Sequence, residues 1–175
     1  MNEVDAVKTK EDIEAVEALL RKYHGNIYAD IWCIGLNLGL RTNELLALTF
    51  SDMNIPNRTF SIKKNRTGIK QSFVLNSVVL QIIERRKKEY PNDHYLFQVK
   101  SNRTKTKLIK PVSRISVSRT FKDVGEILGL NINTLSMRKS CMWAMYSDGE
   151  STEKIRNILN HSSKEMTLHY IGITK

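Results

Sequence analysis

Cysteine is nearly absent. Only two occur in the 175 residues, Cys33 and Cys141, and neither belongs to a Cys-x-x-Cys pair. Both lie in apolar, helix-like surroundings. They read as buried free thiols of a reducing compartment, which excludes a disulfide framework and a cysteine-based metal site. No apolar stretch reaches the roughly 18 residues that a membrane helix needs, and no signal peptide is recognisable. The chain is therefore expected in the cytoplasm, with no membrane partner. Internal repeats, linkers and low-complexity segments are also missing, so the length is most simply one domain with a core of its own.

Acids are scarce beyond the N-terminal segment. The formal charge is +10 and the pI about 9.7. The first 20 residues hold six acids and two bases, so the positive excess lies entirely beyond them. From Arg58 to Lys70 there are five bases and no acid. The stretch from Lys100 to Lys110 also has no acid and carries Lys100, Arg103, Lys105, Lys107 and Lys110. Such a balance suits a polyanionic partner, above all nucleic acid. A merely basic soluble protein has the same sum, and charge alone does not separate the two.

What is present is mostly helical periodicity. Thr9 with Asp12 marks a helix start, and Ile13, Val16, Leu19, Leu20 and Tyr23 then recur on one face with Glu11, Glu14 and Glu17 outside. Gly25-Asn26 breaks that helix. Residues 27–38 are apolar nearly all round, which predicts a buried helix carrying Trp32. Gly39 ends it, and Thr42 can cap a short helix through Leu48. Strand chemistry follows between Ile55 and Leu75. Thr59–Lys63 and Ile69–Leu75 flank Asn65-Arg66-Thr67-Gly68, where Gly68 supplies the positive φ of a β-hairpin. Asn76 can cap a helix with Val78, Val79, Ile82 and Ile83 inward. Its Glu84-Arg85-Arg86-Lys87-Lys88 end reads as a solvated face with bases suited to the helix dipole. Tyr95-Leu96-Phe97 is a short buried segment. Val112 to Leu128 is amphipathic, with Ile115, Val117, Phe121, Val124 and Leu128 on one side and Gly129 closing it. Helices at Met137–Tyr146 and Thr152–Leu159 follow, separated by Asp148-Gly149. Ser162 and Glu165 have the spacing of a capping box, so a last helix is expected from near Ser163 to Tyr170. The expected fold is mainly α with a small antiparallel β-sheet near residues 55–75.

Three short motifs stand out in this frame. The first, Gly39-Leu40-Arg41-Thr42-Asn43-Glu44-Leu45-Leu46-Ala47-Leu48, puts Arg41 at a junction between two helices. A charge beside an apolar stretch must be paired or functional, and Glu44 is an obvious structural partner. The second is Ser136-Met137-Arg138-Lys139. The third is Asn160-His161-Ser162-Ser163, with Tyr170 nine residues after His161. Taken alone, this last stretch reads better as a C-terminal strut in which Tyr170 is a half-buried anchor. The hairpin bases suit a basic edge strand that blocks aggregation, or a hairpin lying on phosphates. The Lys100–Lys110 segment is either a mobile surface loop or one ordered by DNA.

In order and spacing, Gly-Leu-Arg-x-x-Glu-Leu-x-x-Leu, a later Arg, Asn-His-Ser-Ser and a Tyr nine residues after the His resemble the catalytic domain of the tyrosine recombinases, the phage integrases. The resemblance runs from Arg41 to Tyr170. It implies a tyrosine recombinase catalytic-domain-like fold and site-specific cleavage and rejoining of DNA, with no metal or other cofactor. The intermediate it implies is a 3′-phosphotyrosyl link with a free 5′-hydroxyl, which conserves the bond energy so that ligation needs no ATP. Tyr170 would be the nucleophile. Arg41 and Arg138 would grip the non-bridging phosphate oxygens, for which the planar, permanently charged guanidinium fork is suited. His161 would add a hydrogen bond to the same phosphate, and Glu44 would orient the Arg41 neighbourhood. Lys63, Arg66, Lys100, Arg103, Lys105, Lys107, Lys110 and Lys139 are the expected DNA-binding bases. The implied partner is double-stranded DNA, with self-association on it as a tetrameric synapse.

Two departures from the family pattern bear on the chemistry. Members carry a hairpin Lys, commonly in Lys-Thr-Gly, that protonates the departing 5′-oxygen, whereas this chain has Arg66-Thr67-Gly68. Arg holds its proton too tightly for a general acid, so Lys64 or Lys70 is expected to serve, depending on the hairpin register. Members also carry His or Lys three residues before the second Arg. Here that residue is Leu135, which has no proton to give or take, unless it is simply a core residue. Too few residues precede Arg41 for the separate N-terminal helical domain of many members. The chain is therefore expected to be a single catalytic domain over residues 1–175, either a member of that form or a piece of a longer protein. The runner-up reading is a weak or inactive DNA-binding relative acting as a regulator. A basic helical interaction module whose Arg and Tyr are structural is the third.

Overall fold

Capping side chains and two left-handed turns decide where the helices begin and end. The structure is a computed structural model and describes residues 4–63, 70–100 and 109–173. It divides into two compact units, Met1–Arg41 with Ile115–Lys175, and Thr42–Arg114. The architecture is the expected one, mostly helical with a small antiparallel sheet of three strands.

In the first unit Thr9 caps helix α1 (Lys10–Tyr23), its hydroxyl accepting the Asp12 N–H. Val16 and Leu20 face the core, but Tyr23 turns outward beneath the Lys22 ammonium. Helix α2 (Asn26–Leu38) is buried from Ala29 to Gly35. Its Trp32 meets Phe121 of α5 (Arg114–Leu128) edge to face at 5.3 Å. Ile115 points outward rather than inward, because two helical steps from the buried Val117 is nearly the opposite side. Helix α6 (Thr134–Ser147) begins at Thr134 instead of Met137, since Asn133 and Ser136 form a reciprocal capping box. Helices α7 (Thr152–Leu159) and α8 (Lys164–Tyr170) complete the unit. The cap of α8 is Ser163 rather than Ser162, and it accepts the Met166 N–H at 3.1 Å.

Close approach of α2 to α6 depends on missing side chains. A Cβ at Gly35 would lie 2.3 Å from Met137 Sδ. Gly39 ends α2 in the left-handed region with φ 58°, and a Cβ there would meet Met142 Cε at 2.7 Å and Cys141 Sγ at 2.9 Å. Gly39 is thus required both by its backbone and by its neighbours.

In the second unit α3 (Thr42–Leu46) is a single turn that stops before Leu48. A 3-10 turn at Phe50–Asp52 leads into β1 (Met53–Asn54), which pairs with β2 (Thr59–Lys63), which pairs in turn with β3 (Lys70–Val74). The register sets Phe60 opposite Phe73, whose rings stack at 4.8 Å, and Lys63 opposite Lys70. Helix α4 (Ser77–Glu89) is capped by Asn76 as expected. Val78 faces outward, and Arg86 is not on the solvated face predicted for it. Arg86 is 2% exposed, its Nε donates to the Leu96 carbonyl at 2.8 Å, and its guanidinium lies over the Tyr90 and Phe97 rings. A planar cation stacked on aromatic faces tolerates such burial better than an ammonium does. The same segment pairs with the chain around Lys110 and Val112. Val112 N–H donates to Phe97 O at 2.8 Å and Val99 N–H to Lys110 O at 3.0 Å. Among the described residues no helix is long and apolar enough to cross a membrane.

The two demands on Gly39 can be separated by substitution. Gly39→Ala should cost about 2–4 kcal/mol, combining a left-handed Cβ with overpacking against Cys141 and Met142. Gly129, with φ 68° and open space around it, carries the backbone term alone, so Gly129→Ala should cost about 1–2 kcal/mol. Urea unfolding of both variants measures the difference, and equal costs would show that the α2–α6 contact contributes nothing.

Candidate active site

Arg41, Arg138, His161 and Tyr170 come from separate stretches of sequence and converge within the first unit. Arg138 occupies the second turn of α6 and is only 8% exposed. One guanidinium nitrogen donates to the Gly39 carbonyl at 2.9 Å and the other to the Ile158 carbonyl at 3.2 Å. These oxygens lie at the C-terminal ends of α2 and α7, where carbonyls lack helical partners and the helix dipole favours a cation. The Arg138 cation also acts on the Tyr170 phenol and draws it toward ionisation. Arg41, which is exposed, follows Gly39-Leu40 directly and acts electrostatically on the same phenol.

Tyr170 is the last residue of α8 and packs against Cys141, Met142, Ile155, Leu159 and Ile171. Burial raises its pKa above the usual phenol value, against the opposing pull of the Arg138 and Arg41 cations. Burial likewise pushes the Cys141 thiol up to about 11, opposed by Arg138, so it stays protonated beside the site.

His161 follows Asn160, whose left-handed conformation (φ 59°) caps α7 and turns the chain toward α8. The His161 ring meets the Tyr170 ring edge to face, with centroids 5.3 Å apart. Its Nδ1 lies 3.1 Å from Thr167 Oγ1, and the single Thr167 hydroxyl proton is directed at the Ser163 carbonyl, 3.2 Å away. Nδ1 must therefore be the donor, which leaves Nε2 without a proton in the neutral ring. Burial first, and the Arg138 cation second, hold the His161 pKa below its ordinary value.

Lys139 departs from the surface role expected of it. It is 7% exposed, its Nζ donates to the Val4 carbonyl at 2.9 Å, and the ammonium sits 5.4 Å from the Tyr170 ring centroid. A buried cation that spends a proton on a backbone carbonyl is not a surface phosphate contact. Leu135 lies in the first turn of α6, on the Arg138 side of the helix, and is 43% exposed. It is therefore no core residue.

In the second unit Glu44 sits in the first turn of α3 and is half-buried. Lys70 lies opposite Lys63 in the β2–β3 register. Lys64, Arg66, Arg103, Lys105 and Lys107 fall outside the described residues. Lys110 is exposed, while Lys100 pairs with Asp93 and lies over the Tyr90 ring. Among the described residues no group of three or more His, Cys, Asp or Glu is gathered as a metal site. Sequence reasoning missed Thr167 and the Gly39 and Ile158 carbonyls. A carbonyl carries no signal of its own in sequence, and Thr167 has only its helix-face position relative to Ser163.

The phage integrase family model matches residues 9–175. The chain is 29% identical over 174 residues to YoeC of Bacillus subtilis (strain 168), a probable integrase/recombinase, covering 99% of this chain and 92% of that protein. Its fold is similar to the crystal structure of XerA recombinase, with TM-score 0.74 and 16% identity over 98% of this chain. It is similar also to the Tn1549 transposon integrase in complex with a circular intermediate DNA, with TM-score 0.71 and 17% identity over all of this chain. The chain spans 62% and 63% of those two chains. The fold is thus that of the tyrosine recombinases. The chain belongs to the phage integrase family.

The His161 environment has a measurable consequence. Its folded-state pKa lies below the ordinary 6.5, so the unfolded chain takes up the proton first. This group therefore lowers stability as pH falls below 6.5 and contributes nothing well above it. NMR titration should place His161 below 6.5, and Arg138→Met should move it upward by removing a repelling cation. A midpoint indifferent to Arg138 would contradict the geometry.

Proposed function

We propose that this chain is a site-specific DNA recombinase that cleaves and rejoins strands through a 3′-phosphotyrosyl intermediate, with Tyr170 as the nucleophile. The observation that carries the reading is the crowding of cations on one phenol. Arg138 and Arg41 both act on it electrostatically, and His161 meets its ring at 5.3 Å. A lone structural tyrosine has no need of them.

In this mechanism the Tyr170 oxygen attacks phosphorus, its proton leaves, and the bond from phosphorus to the 5′-oxygen breaks. Arg41 and Arg138 neutralise the charge that builds on the non-bridging oxygens. A guanidinium has five N–H donors, so Arg138 can keep its helix-end carbonyls and still donate to a phosphate oxygen. His161 donates to the phosphate from Nε2, which requires the imidazolium. The phosphate charge favours that form by offsetting the desolvation that disfavours it in the DNA-free protein. Lys70 or Lys64 protonates the departing oxygen, and Glu44 orients the Arg41 neighbourhood.

The substrate is double-stranded DNA, bound mainly through phosphates by the hairpin and the Lys100–Lys110 segment, with several copies assembling on it. The presence of the Tn1549 integrase on DNA in its own structure supports that partner. The residues act as a catalytic domain, and the reaction is cytoplasmic.

Tyr170→Phe tests the reading. On a nicked suicide duplex the variant should form no covalent adduct while DNA affinity persists, and folding should lose at most about 0.5–1.5 kcal/mol, the worth of one hydrogen bond. An adduct in the variant would mean another nucleophile. Binding by wild-type protein without any adduct would instead favour a DNA-binding regulator.

Leu135→His tests the suspected deficit. A positioned proton carrier typically contributes about 10²–10⁴-fold to a rate, and Leu135 supplies none. Because Leu135 is 43% exposed, histidine there displaces no core packing. Adduct formation should accelerate while stability stays within about 0.5 kcal/mol of wild type. A variant that cleaves no faster would shift the deficit to the hairpin at Arg66.

A further inference from the structure

The mechanism above makes no use of Lys139, although its ammonium is buried at 7% exposure. A cation so placed needs compensation. It finds part of it in two groups that are remote in sequence, the Val4 carbonyl at 2.9 Å and the face of the Tyr170 ring at 5.4 Å. Val4 begins a short strap along the first unit. Val4 and Val7 are buried, Asp5 N–H donates to Asn131 O at 3.1 Å, and Val7 N–H donates to Ser140 Oγ at 2.7 Å. Lys8 Nζ then donates to the Gly172 carbonyl at 3.0 Å and lies 5.9 Å from the Trp143 ring centroid. The strap is therefore tied to the start of α6, to the residue beside Lys139 and to the turn after Tyr170.

We propose that Lys139 is a positioning residue for Tyr170, and that through it the N-terminal strap sets where the hydroxyl lies. This rests on the reading of Tyr170 as the nucleophile. The Arg138 cation acts on the phenol, His161 meets the ring edge-on, and the Lys139 ammonium takes the negative face of the ring, an attraction that operates within about 6 Å. The strap thus holds Lys139 at one end and the turn after Tyr170 at the other, so it bears on both the ring face and the backbone that carries the ring. Placement matters at this scale, because a misplacement of about 1 Å can cost about 10²-fold in rate.

The test labels the full chain with 3-fluorotyrosine and assigns the Tyr170 fluorine resonance by its loss in Tyr170→Phe. Lys139→Met keeps the stem and removes the charge. The Tyr170 resonance should move and its titration midpoint should rise, since a phenolate loses a nearby cation. The other groups around the ring, Arg138, Arg41, His161 and Cys141, are unchanged in that variant. Lys139→Arg should return both signals toward wild type, because a guanidinium also stacks on ring faces. On the suicide duplex Lys139→Met should form adduct about 10- to 100-fold more slowly at unchanged DNA affinity, and Lys8→Ala should act in the same direction. An unmoved resonance and midpoint in Lys139→Met would overturn the proposal, whatever happens to thermal stability. So would moved signals with adduct formation at the wild-type rate. The fluorine readout requires no cleavage, so failure of Tyr170 as nucleophile, shown by an adduct in Tyr170→Phe, is separable from failure of the Lys139 contact.

Discussion

A buried guanidinium has to be kept charged, and the first unit is arranged around the way this is done for Arg138. The two carbonyls that hold it belong to Gly39 and Ile158, at the C-terminal ends of α2 and α7. Such carbonyls have no helical donor and carry the negative end of the dipole, so the pairing satisfies both partners. The same helix ends are followed by left-handed residues, Gly39 itself and Asn160. Those turns deliver the next functional groups, Arg41 just after Gly39 and His161 just after Asn160. Satisfying one buried cation thereby fixes the approach of two other site residues. The close α2–α6 crossing over Gly35 and Gly39 is the packing condition that makes the arrangement possible.

Around Tyr170 this produces a site under electrostatic tension. Arg41, Arg138 and Lys139 all act on or contact one neutral phenol whose burial keeps it protonated. Gathering like charges costs stability, and the carbonyls that hold Arg138 and Lys139 offset part of that cost. His161 is held below its ordinary pKa by burial first and by the Arg138 cation second, and only the second cause belongs to this tension. An anion beside Arg41, Arg138 and His161 would lower the repulsion among them, which is the physical content of the proposed phosphate contact.

Local chemistry made much of this legible in the sequence. Thr9, Asn76 and the Thr59–Lys63 strand carry their own caps or alternation, and they fall where the pattern predicts. The site motifs were visible as residue types in order, but nothing local brings Arg41 beside Arg138. Where the reading failed, tertiary packing had overridden a local rule. Met53–Asn54 is too short to show alternation and exists only because Thr59 and Phe60 pair with it. Ser162 fits the capping-box spacing, yet Ser163 has the extended backbone and makes the capping bond. Lys139 is expected among the DNA-binding bases, yet it is buried and bonded to a segment 135 positions away in sequence.

Arg86 and Lys139 also limit what net charge can say. The +10 balance counts every base as though it faced solvent. Yet Arg86, Arg138 and Lys139 are each at most 8% exposed and hold structure through carbonyls or aromatic faces. Lys100 is committed in part to Asp93. Burial does not remove these charges, which still add to the field a polyanion meets, but Arg86 and Lys139 are not surface contacts for it. Arg86 is the clearest case: its Nε holds the Leu96 carbonyl and its guanidinium lies over the Tyr90 and Phe97 rings, so a base counted in the +10 works as internal structure of the second unit.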